Sequence, residues 1–225
     1  MRRFDFTSSP RMFRIAAAAV LTGALGATAG CASMGSGEIG SASGTMSASD
    51  AQARLEGWPE SSRMAAMDMM QKYGPPQEVT ATSMMWRNNG PWKWTRLSRM
   101  EVRHDFPMPH PDVLEQAIDY QVPPDLFDDL ARYDGSVMVE RTKGEMSARC
   151  DKEGANFLAL NLADDIVRGR RTVDQARQYY AQAMQTFKAA NRMDPYMQGL
   201  RFQVASGATG DPDRPAMSGM GMSQP

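Results

Sequence analysis

Alternating hydrophobic and polar residues predict a first β-hairpin in the N-terminal half of the chain. Residues 79–86 and 95–106 have the composition of two strands, joined around residues 88–91, where Asn, Gly and Pro favour a turn. Side chains two positions apart share one face of a strand. The second strand is therefore predicted to bury one face, whose members are Met100, Val102, His104 and Phe106.

A second hairpin is predicted further along the chain. Lys143 and Gly144 are expected to form a two-residue turn, because glycine adopts positive φ without steric cost. Counting outward from this turn pairs Val139 with Ala148 and Val137 with Cys150. One face of the hairpin is then apolar and is assigned to the core: Val137, Val139, Met146, Ala148 and Cys150.

Helical spacing of apolar residues predicts about five helices. They cover residues 62–73, 112–120, a short stretch after Pro124 that ends near Tyr133, 152–168 and 172–190. A last short strand is expected at residues 200–204. Two hairpins among helices indicate an α+β fold with a small, mostly antiparallel sheet.

Capping residues support three of these helices. Ser61 or Ser62 is expected to cap the first one. Two further helices begin with the spacing of a capping box, in which the first side chain bonds to the backbone three residues later and the later one bonds back. These pairs are Asp112 with Glu115 and Thr172 with Gln175.

The N-terminus has the parts of a secretory signal. Basic residues up to Arg14 precede an apolar run of 15 residues, 15–29, whereas a membrane-spanning helix needs about 20. The run closes with Thr-Ala-Gly-Cys, which resembles the lipobox of bacterial lipoproteins, although Thr28 stands where that family prefers leucine. The resemblance implies a signal peptide at 1–30 and lipidation of Cys31. An ordinary signal or an uncleaved anchor are the alternatives.

The predicted domain organisation follows from composition. Residues 31–50 are rich in Gly, Ala and Ser and are expected to form a flexible tether after the lipidated cysteine. Residues 51–204 form a single α+β domain, and the Met- and Gly-rich residues 205–225 are expected to be disordered. Ala32 follows the cysteine in place of aspartate, which resembles lipoproteins sorted to the outer membrane. The domain is therefore expected to face the periplasm.

Charge argues against nucleic acid as a partner. The whole chain has a net charge of -1. Removal of residues 1–30 takes four arginines and one aspartate with it, so the mature chain is left at -4. A chain with this balance has no overall field that would attract nucleic acid.

The first hairpin is locally basic and carries three tryptophans. Five basic residues oppose Glu101 between positions 85 and 104. Indole and guanidinium groups together suit an envelope protein, a glycan or an anionic lipid. We therefore predict an interaction surface that consists of Arg87, Trp92, Trp94 and Arg96. The alternative is that Trp92 and Trp94, on one strand face, cover the core.

Two groups of residues are candidates for catalysis. Cys150 precedes a helix N-terminus, which favours a reactive thiolate, but its place on the apolar face favours a structural role. Asp164 and Asp165 could act as a general acid and base. Arg168 and the arginines that follow can instead neutralise both carboxylates. A structural, ion-paired role is therefore favoured over a catalytic one.

Two groups of residues have side chains that could bind a metal ion. His104 and His110, the only imidazoles, could bind zinc with Cys150 or Asp112, but no CxxC or HxxxH spacing supports this, so we predict no metal site and no cofactor. Three methionines of the C-terminal segment, Met217, Met220 and Met222, form a possible Cu(I) tract.

The mature domain has one further resemblance. The opening helix, the YGPP break and the tryptophan-ended hairpin are similar to small lipoproteins of the outer-membrane β-barrel assembly machine, over residues 62–106. That pattern implies no particular functional residues. The sequence therefore predicts a lipid-anchored envelope protein whose domain is an interaction or structural module, with a periplasmic enzyme or a Cu(I)-binding protein as alternatives.

Overall fold

A computed structural model of the chain describes residues 46–217. This range holds five α-helices: α1 Ala48–Ala53, α2 Glu60–Tyr73, α3 Phe127–Tyr133, α4 Glu153–Val167 and α5 Val173–Ala190. It holds six strands: β1 Glu78–Val79, β2 Ser83–Asn89, β3 Trp92–His104, β4 His110–Asp119, β5 Val137–Glu140 and β6 Glu145–Cys150. The predicted signal peptide, Cys31, most of the tether, Met220 and Met222 lie outside the described residues.

The six strands form one antiparallel sheet in the order β1-β2-β3-β4-β6-β5. The predicted α+β fold class with a mostly antiparallel sheet is confirmed. One face of the sheet packs against α2 and α4 through apolar side chains that include Trp86, Leu97, Leu114 and Met146. We call the opposite face the open face.

Helix α4 lies at the centre of the larger core. Every residue from Ala155 to Ile166 is buried, because β6 packs on one side of the helix and α5 on another. The helix predicted at 152–168 is confirmed as α4. The prediction buried only one apolar stripe of it, whereas the structure buries all of its sides. Its neighbour α5 begins with the predicted capping box of Thr172 and Gln175.

The predicted helix at residues 112–120 is wrong, because this segment is strand β4. All residues from Asp112 to Ile118 are buried: β4 lies between β3 and β6, helices pack on one of its faces, and side chains of the neighbouring strands, such as Arg96 and Ser147 around Glu115, cover the other. A strand buried on both faces lacks the alternation that identifies strands in a sequence. Asp112 and Glu115 are thus sheet residues and cap no helix.

The first hairpin differs from its prediction in its buried face. Its turn lies at Gly90 and Pro91, and β3 extends to His104 with an irregularity between Leu97 and Val102. Beyond that point Met100 is 72% exposed and Val102 is 41% exposed, so the predicted core role of these two residues is wrong. The apolar contacts of β3 lie instead in its first half.

The second hairpin has the predicted faces but a different register. Val137 pairs with Ala148 and Val139 with Met146, so the connection is a four-residue loop at 141–144, and the predicted two-residue turn is wrong. A shift of two residues leaves the faces unchanged because the side-chain period of a strand is two. Gly144 is the last residue of this longer loop and has the positive φ, 66°, that was expected of it.

Residues 205–217 pack against this loop. The Arg141 carbonyl accepts the Asp211 N–H over 3.0 Å, and the Arg141 guanidinium pairs with Asp211 and Asp213. Thr209 is buried and donates its hydroxyl to the Gly144 carbonyl over 2.7 Å. The first part of the segment that we expected to be disordered is thus irregular chain with specific contacts to this loop.

Two local predictions fail for reasons of tertiary contact. Helix α2 begins at Glu60, after Pro59, so Ser61 and Ser62 lie inside its first turn and neither caps it; Ser62 donates to the Ser98 carbonyl on β3 over 2.8 Å. Residues 200–204 form no strand in the structure. Leu200 and Phe202 reach the core as irregular chain.

Candidate functional site

The four residues of the predicted interaction surface divide between the two faces of the sheet. Trp92 is buried on the helix side, where its ring stacks on Phe157 of α4 with centroids 4.6 Å apart. Its indole N–H donates to Glu153 over 2.7 Å. Trp92 is therefore a core residue, as the alternative interpretation of the hairpin expects, and it is not part of an exposed interaction surface.

Arg87, Trp94 and Arg96 lie together on the open face. Arg87 is opposite Trp94 across β2 and β3, and the Arg96 guanidinium lies 5.9 Å from the centre of the Trp94 ring. Asn88, between Arg87 and the turn, takes a left-handed φ of 51°. Past this residue Asn89 and Trp92 contact the helix side, which explains why Trp92 and Trp94 do not share a face.

Carboxylates neutralise much of the basic charge on the open face. Arg96 pairs with Glu115, and Arg87 lies 2.8 Å from Glu78. Lys93 pairs with Asp119 over 2.7 Å and with Glu145 over 2.9 Å, and these contacts raise the pKa of Lys93. The first hairpin is basic by itself, but β1, β4 and β6 place carboxylates beside it. The open face is therefore a surface of mixed charge.

A groove of about 690 Å³ runs along the open face. Basic side chains line it at Arg96, Arg99 and Arg149, and Asp112 and Glu115 supply the acidic side chains. The exposed Met100 and Val102 belong to its wall. Met100 and Val102, which were predicted to lie in the core, thus form the apolar part of a surface groove.

Asp164 and Asp165 are buried and held in ion pairs. Arg168 lies 2.8 Å from Asp164, and Arg170 contacts both carboxylates. Arg171 lies 2.8 Å from Asp165. Each carboxylate is thus paired with two arginines.

Tyr120 extends the aspartate network to strand β4. Its hydroxyl donates to Asp164 over 2.6 Å. Burial, together with this hydrogen bond, raises the pKa of Tyr120 well above its ordinary value. Tyr196 likewise donates its hydroxyl to Asp165 over 3.2 Å, so both carboxylates are engaged by arginines and tyrosines, and the arrangement holds α4 to the end of β4 and to the arginines after it.

A polar cluster lies where β3 and β4 meet β6. His104 ends β3 and pairs with His110, which begins β4, and their rings are 5.0 Å apart. Asp112 is fully buried between them: Asp112 Oδ1 lies 3.1 Å from His110 Nε2, and Asp112 Oδ2 lies 3.5 Å from His104 Nδ1. Cys150 Sγ lies 3.3 Å from His110 Nε2. We call His104, His110 and Asp112 the His-Asp cluster.

Burial and charge act in opposite directions on these groups. Burial opposes ionisation of Asp112, but its contacts with His110 and Ser136 outweigh the burial and lower its pKa. Burial also opposes protonation of His110, but contacts with Asp112 and Cys150 outweigh it and raise the pKa of His110 to about 11. Burial raises the pKa of the Cys150 thiol, so at neutral pH the thiol is protonated.

The His-Asp cluster is reached from two sides. Asp112 lines the groove of the open face. His110 and Cys150 line a second cavity of about 290 Å³, which Tyr180 and Met184 of α5 close from the other side. The sequence offered these residues as a zinc site only to reject it for lack of a short ligand spacing, and with β4 predicted as a helix nothing placed His110 and Asp112 beside His104. The only local signal was the FPMPHPD segment, residues 106–112: it contains His110, and His104 lies two residues before it, so the two imidazoles flank a short turn between strands.

Comparisons with known proteins add no identity to this description. No known protein family, curated protein or solved structure matches the chain. Among the described residues, no helix has the length and apolar content that a membrane crossing needs.

Proposed function

We propose that this chain is a lipid-anchored protein of the bacterial envelope whose α+β domain binds another envelope protein through the open face of the sheet. The observation that carries the proposal is that Trp94 and Arg96 lie on a strand surface over which no helix of residues 46–217 packs. The Arg96 side chain is 51% exposed, and Met138 on β5 is 56% exposed. The lipid anchor rests on the lipobox-like sequence that ends in Cys31.

The chemistry of the open face favours a protein over an anionic membrane surface. An anionic lipid layer would require unpaired basic side chains, whereas Lys93 and Arg96 are paired with carboxylates. Protein interfaces combine aromatic, Met and Arg side chains with complementary charges, and that mixture occurs here. The groove beside Arg96 provides concave surface for such contacts.

Affinity capture from envelopes tests the binding face. Trp94→Ala with Arg96→Ala should reduce recovery of crosslinked envelope proteins at least about tenfold, because aromatic and arginine residues dominate interface energies. The matched control is Met64→Ala with Met67→Ala, which changes two exposed methionines on α2. Equal capture by the parent and the Trp94/Arg96 variant would refute the binding face.

Fractionation tests the anchor independently. Cys31→Ser should move the protein into soluble fractions or stall removal of the signal peptide, because lipid chains attached at that residue supply the membrane affinity. Cys150→Ser is the control, since Cys150 is buried within the domain. Unchanged mass and unchanged membrane partition of the Cys31 variant would refute lipidation.

The Cu(I) alternative remains testable on the C-terminal methionines. Met217 is exposed, and Met220 and Met222 follow it outside the described residues. Thioethers bind Cu(I) in compartments where thiols are scarce. Copper titration of the parent and of a chain with all three methionines replaced by leucine would separate this function from protein binding.

A further inference from the structure

Both histidines of the His-Asp cluster have an outer partner on one ring nitrogen. His110 Nδ1 lies 2.8 Å from the Met108 carbonyl, to which it donates its proton. His104 Nε2 lies 3.5 Å from the buried Asp134 carboxylate. The other nitrogens, His110 Nε2 and His104 Nδ1, then face Asp112, and a metal ion would bind them by displacing any proton that they carry. Histidines that bind metals have this arrangement, in which an outer carbonyl or carboxylate fixes the tautomer.

Asp112 supplies the acidic centre. Its side chain is fully buried, and its Oδ1 atom receives no hydrogen bond of good geometry, although His110 Nε2 is only 3.1 Å away. A carboxylate oxygen and an imidazole lone pair repel each other at this distance unless a cation lies between them. A proton on the imidazole satisfies this requirement, and so does a metal ion.

The spacing of the three donor atoms fits a metal ion. A tetrahedral zinc ion with ligands at about 2.0 Å holds them about 3.3 Å apart. His110 Nε2 lies 3.1 Å from Asp112 Oδ1, His104 Nδ1 lies 3.5 Å from Asp112 Oδ2, and one donor atom from each of the three residues can be chosen so that all lie within 4.8 Å of one another. Each imidazole thus faces a different oxygen of the carboxylate, and rotation of the side chains would bring one oxygen and both nitrogens around a single ion.

We propose that His104, His110 and Asp112 form a binding site for a divalent transition-metal ion of the zinc class. Two imidazoles and one carboxylate suit such ions, and three protein ligands leave a fourth position for water or a donor from a bound molecule. The ion enters from the open-face groove, which Asp112 lines. This inference goes beyond protein binding and holds whether or not the open face has a partner.

Arg149 competes with the ion. Its Nε atom lies 3.6 Å from Asp112 Oδ2 and is buried without a hydrogen-bond acceptor. The Arg149 side chain is 30% exposed and lines the groove, so it has space to turn away when an ion binds. Removal of this positive charge should therefore strengthen metal binding.

The parent chain itself can report the site, because it contains only two histidines. The full chain is purified in detergent, stripped with a chelator and titrated with Zn²⁺ while the imidazole nitrogen resonances are followed by NMR. We expect one ion per chain and shifts at both histidines, including His110 Nε2 and His104 Nδ1. Unshifted resonances in excess Zn²⁺ would overturn the proposal without any variant that could misfold.

Zinc affinity in variants gives a second test. His110→Ala and Asp112→Asn should weaken binding at least about tenfold, and Asp134→Asn, which changes an outer partner, about 10- to 100-fold. Arg149→Met should tighten it several-fold, an effect that damage to the fold would not produce. The matched control, Asp128→Asn with Asp129→Asn, changes an acidic pair on α3 that contacts Arg132. Weakening by the control equal to that of His110→Ala would show nonspecific binding and refute the site.

Discussion

Trp92 donates its indole N–H to the carboxylate of Glu153 over 2.7 Å, which joins the first hairpin to the first residue of α4. The same carboxylate accepts the Tyr73 hydroxyl over 2.5 Å and pairs with Lys72 from the end of α2. Glu153 thus connects α2, β3 and α4. Only the tertiary structure brings these elements to one carboxylate.

Glu153→Ala should lower the free energy of unfolding by about 2–4 kcal/mol, because it leaves the Trp92 and Tyr73 donors without an acceptor. Urea denaturation followed by circular dichroism measures the change. Glu60→Ala is the control, since Glu60 is an exposed acidic residue at the same first-turn position of α2. A loss no larger than that of the control would contradict the connecting role of Glu153.

Trp92 and Trp94 should differ sharply when each is replaced by alanine. Trp92→Ala removes a buried ring that stacks on Phe157 and should cost about 3–5 kcal/mol of stability. Trp94→Ala acts on the partly exposed open face and should cost about 1 kcal/mol. Thermal unfolding of the two variants gives the comparison directly. Similar costs for both would mean that the open face is part of the core.

Gly144→Ala should release residues 205–217 from the β5–β6 loop. A Cβ atom at Gly144 would lie 2.1 Å from the Thr209 backbone, in addition to the strain of a φ of 66°. Gly169→Ala is a matched control, because Gly169 has the same φ and no neighbour within 4 Å of its added Cβ. A broad-specificity protease should cleave within 205–217 faster in the first variant. Equal cleavage of both variants would argue against this contact.

Alkaline pH should unfold the domain through its buried tyrosines. Burial raises the pKa values of Tyr120, Tyr133 and Tyr180 well above the ordinary value of 10.0. Below pH 10 all three tyrosines stay protonated in the folded and in the unfolded state, so their contribution to the free energy of unfolding is fully present there. Above pH 10 the unfolded chain ionises first, and the stability falls as the pH rises towards the folded pKa values.

Tyrosinate absorbance and circular dichroism, followed together during an alkaline titration, check this expectation. The three tyrosines should ionise in the same cooperative step in which the helical signal is lost. Ionisation of most of the six tyrosines near pH 10, with the native circular dichroism spectrum intact, would contradict it.

Several features of this protein follow from the sequence alone because their causes are local. The capping box of Thr172 and Gln175 starts α5, and the apolar spacing of 152–168 identifies α4. The apolar face of the second hairpin survives a change of register, since side chains alternate with a period of two. The lipidation of Cys31 also rests on adjacent residues alone, and it stays a prediction.

The tertiary structure decided what depends on contacts between distant residues. Strand β4 resembled a helix because burial on both faces removed its alternation, and neighbours on β3 and β6 determine its conformation. Its correct placement puts His110 and Asp112 beside His104 and Cys150, a cluster that no short spacing marks. Trp92 and Trp94 were equivalent in the sequence, and only the packing of α4 against one face of the sheet separates a core tryptophan from one on the open face.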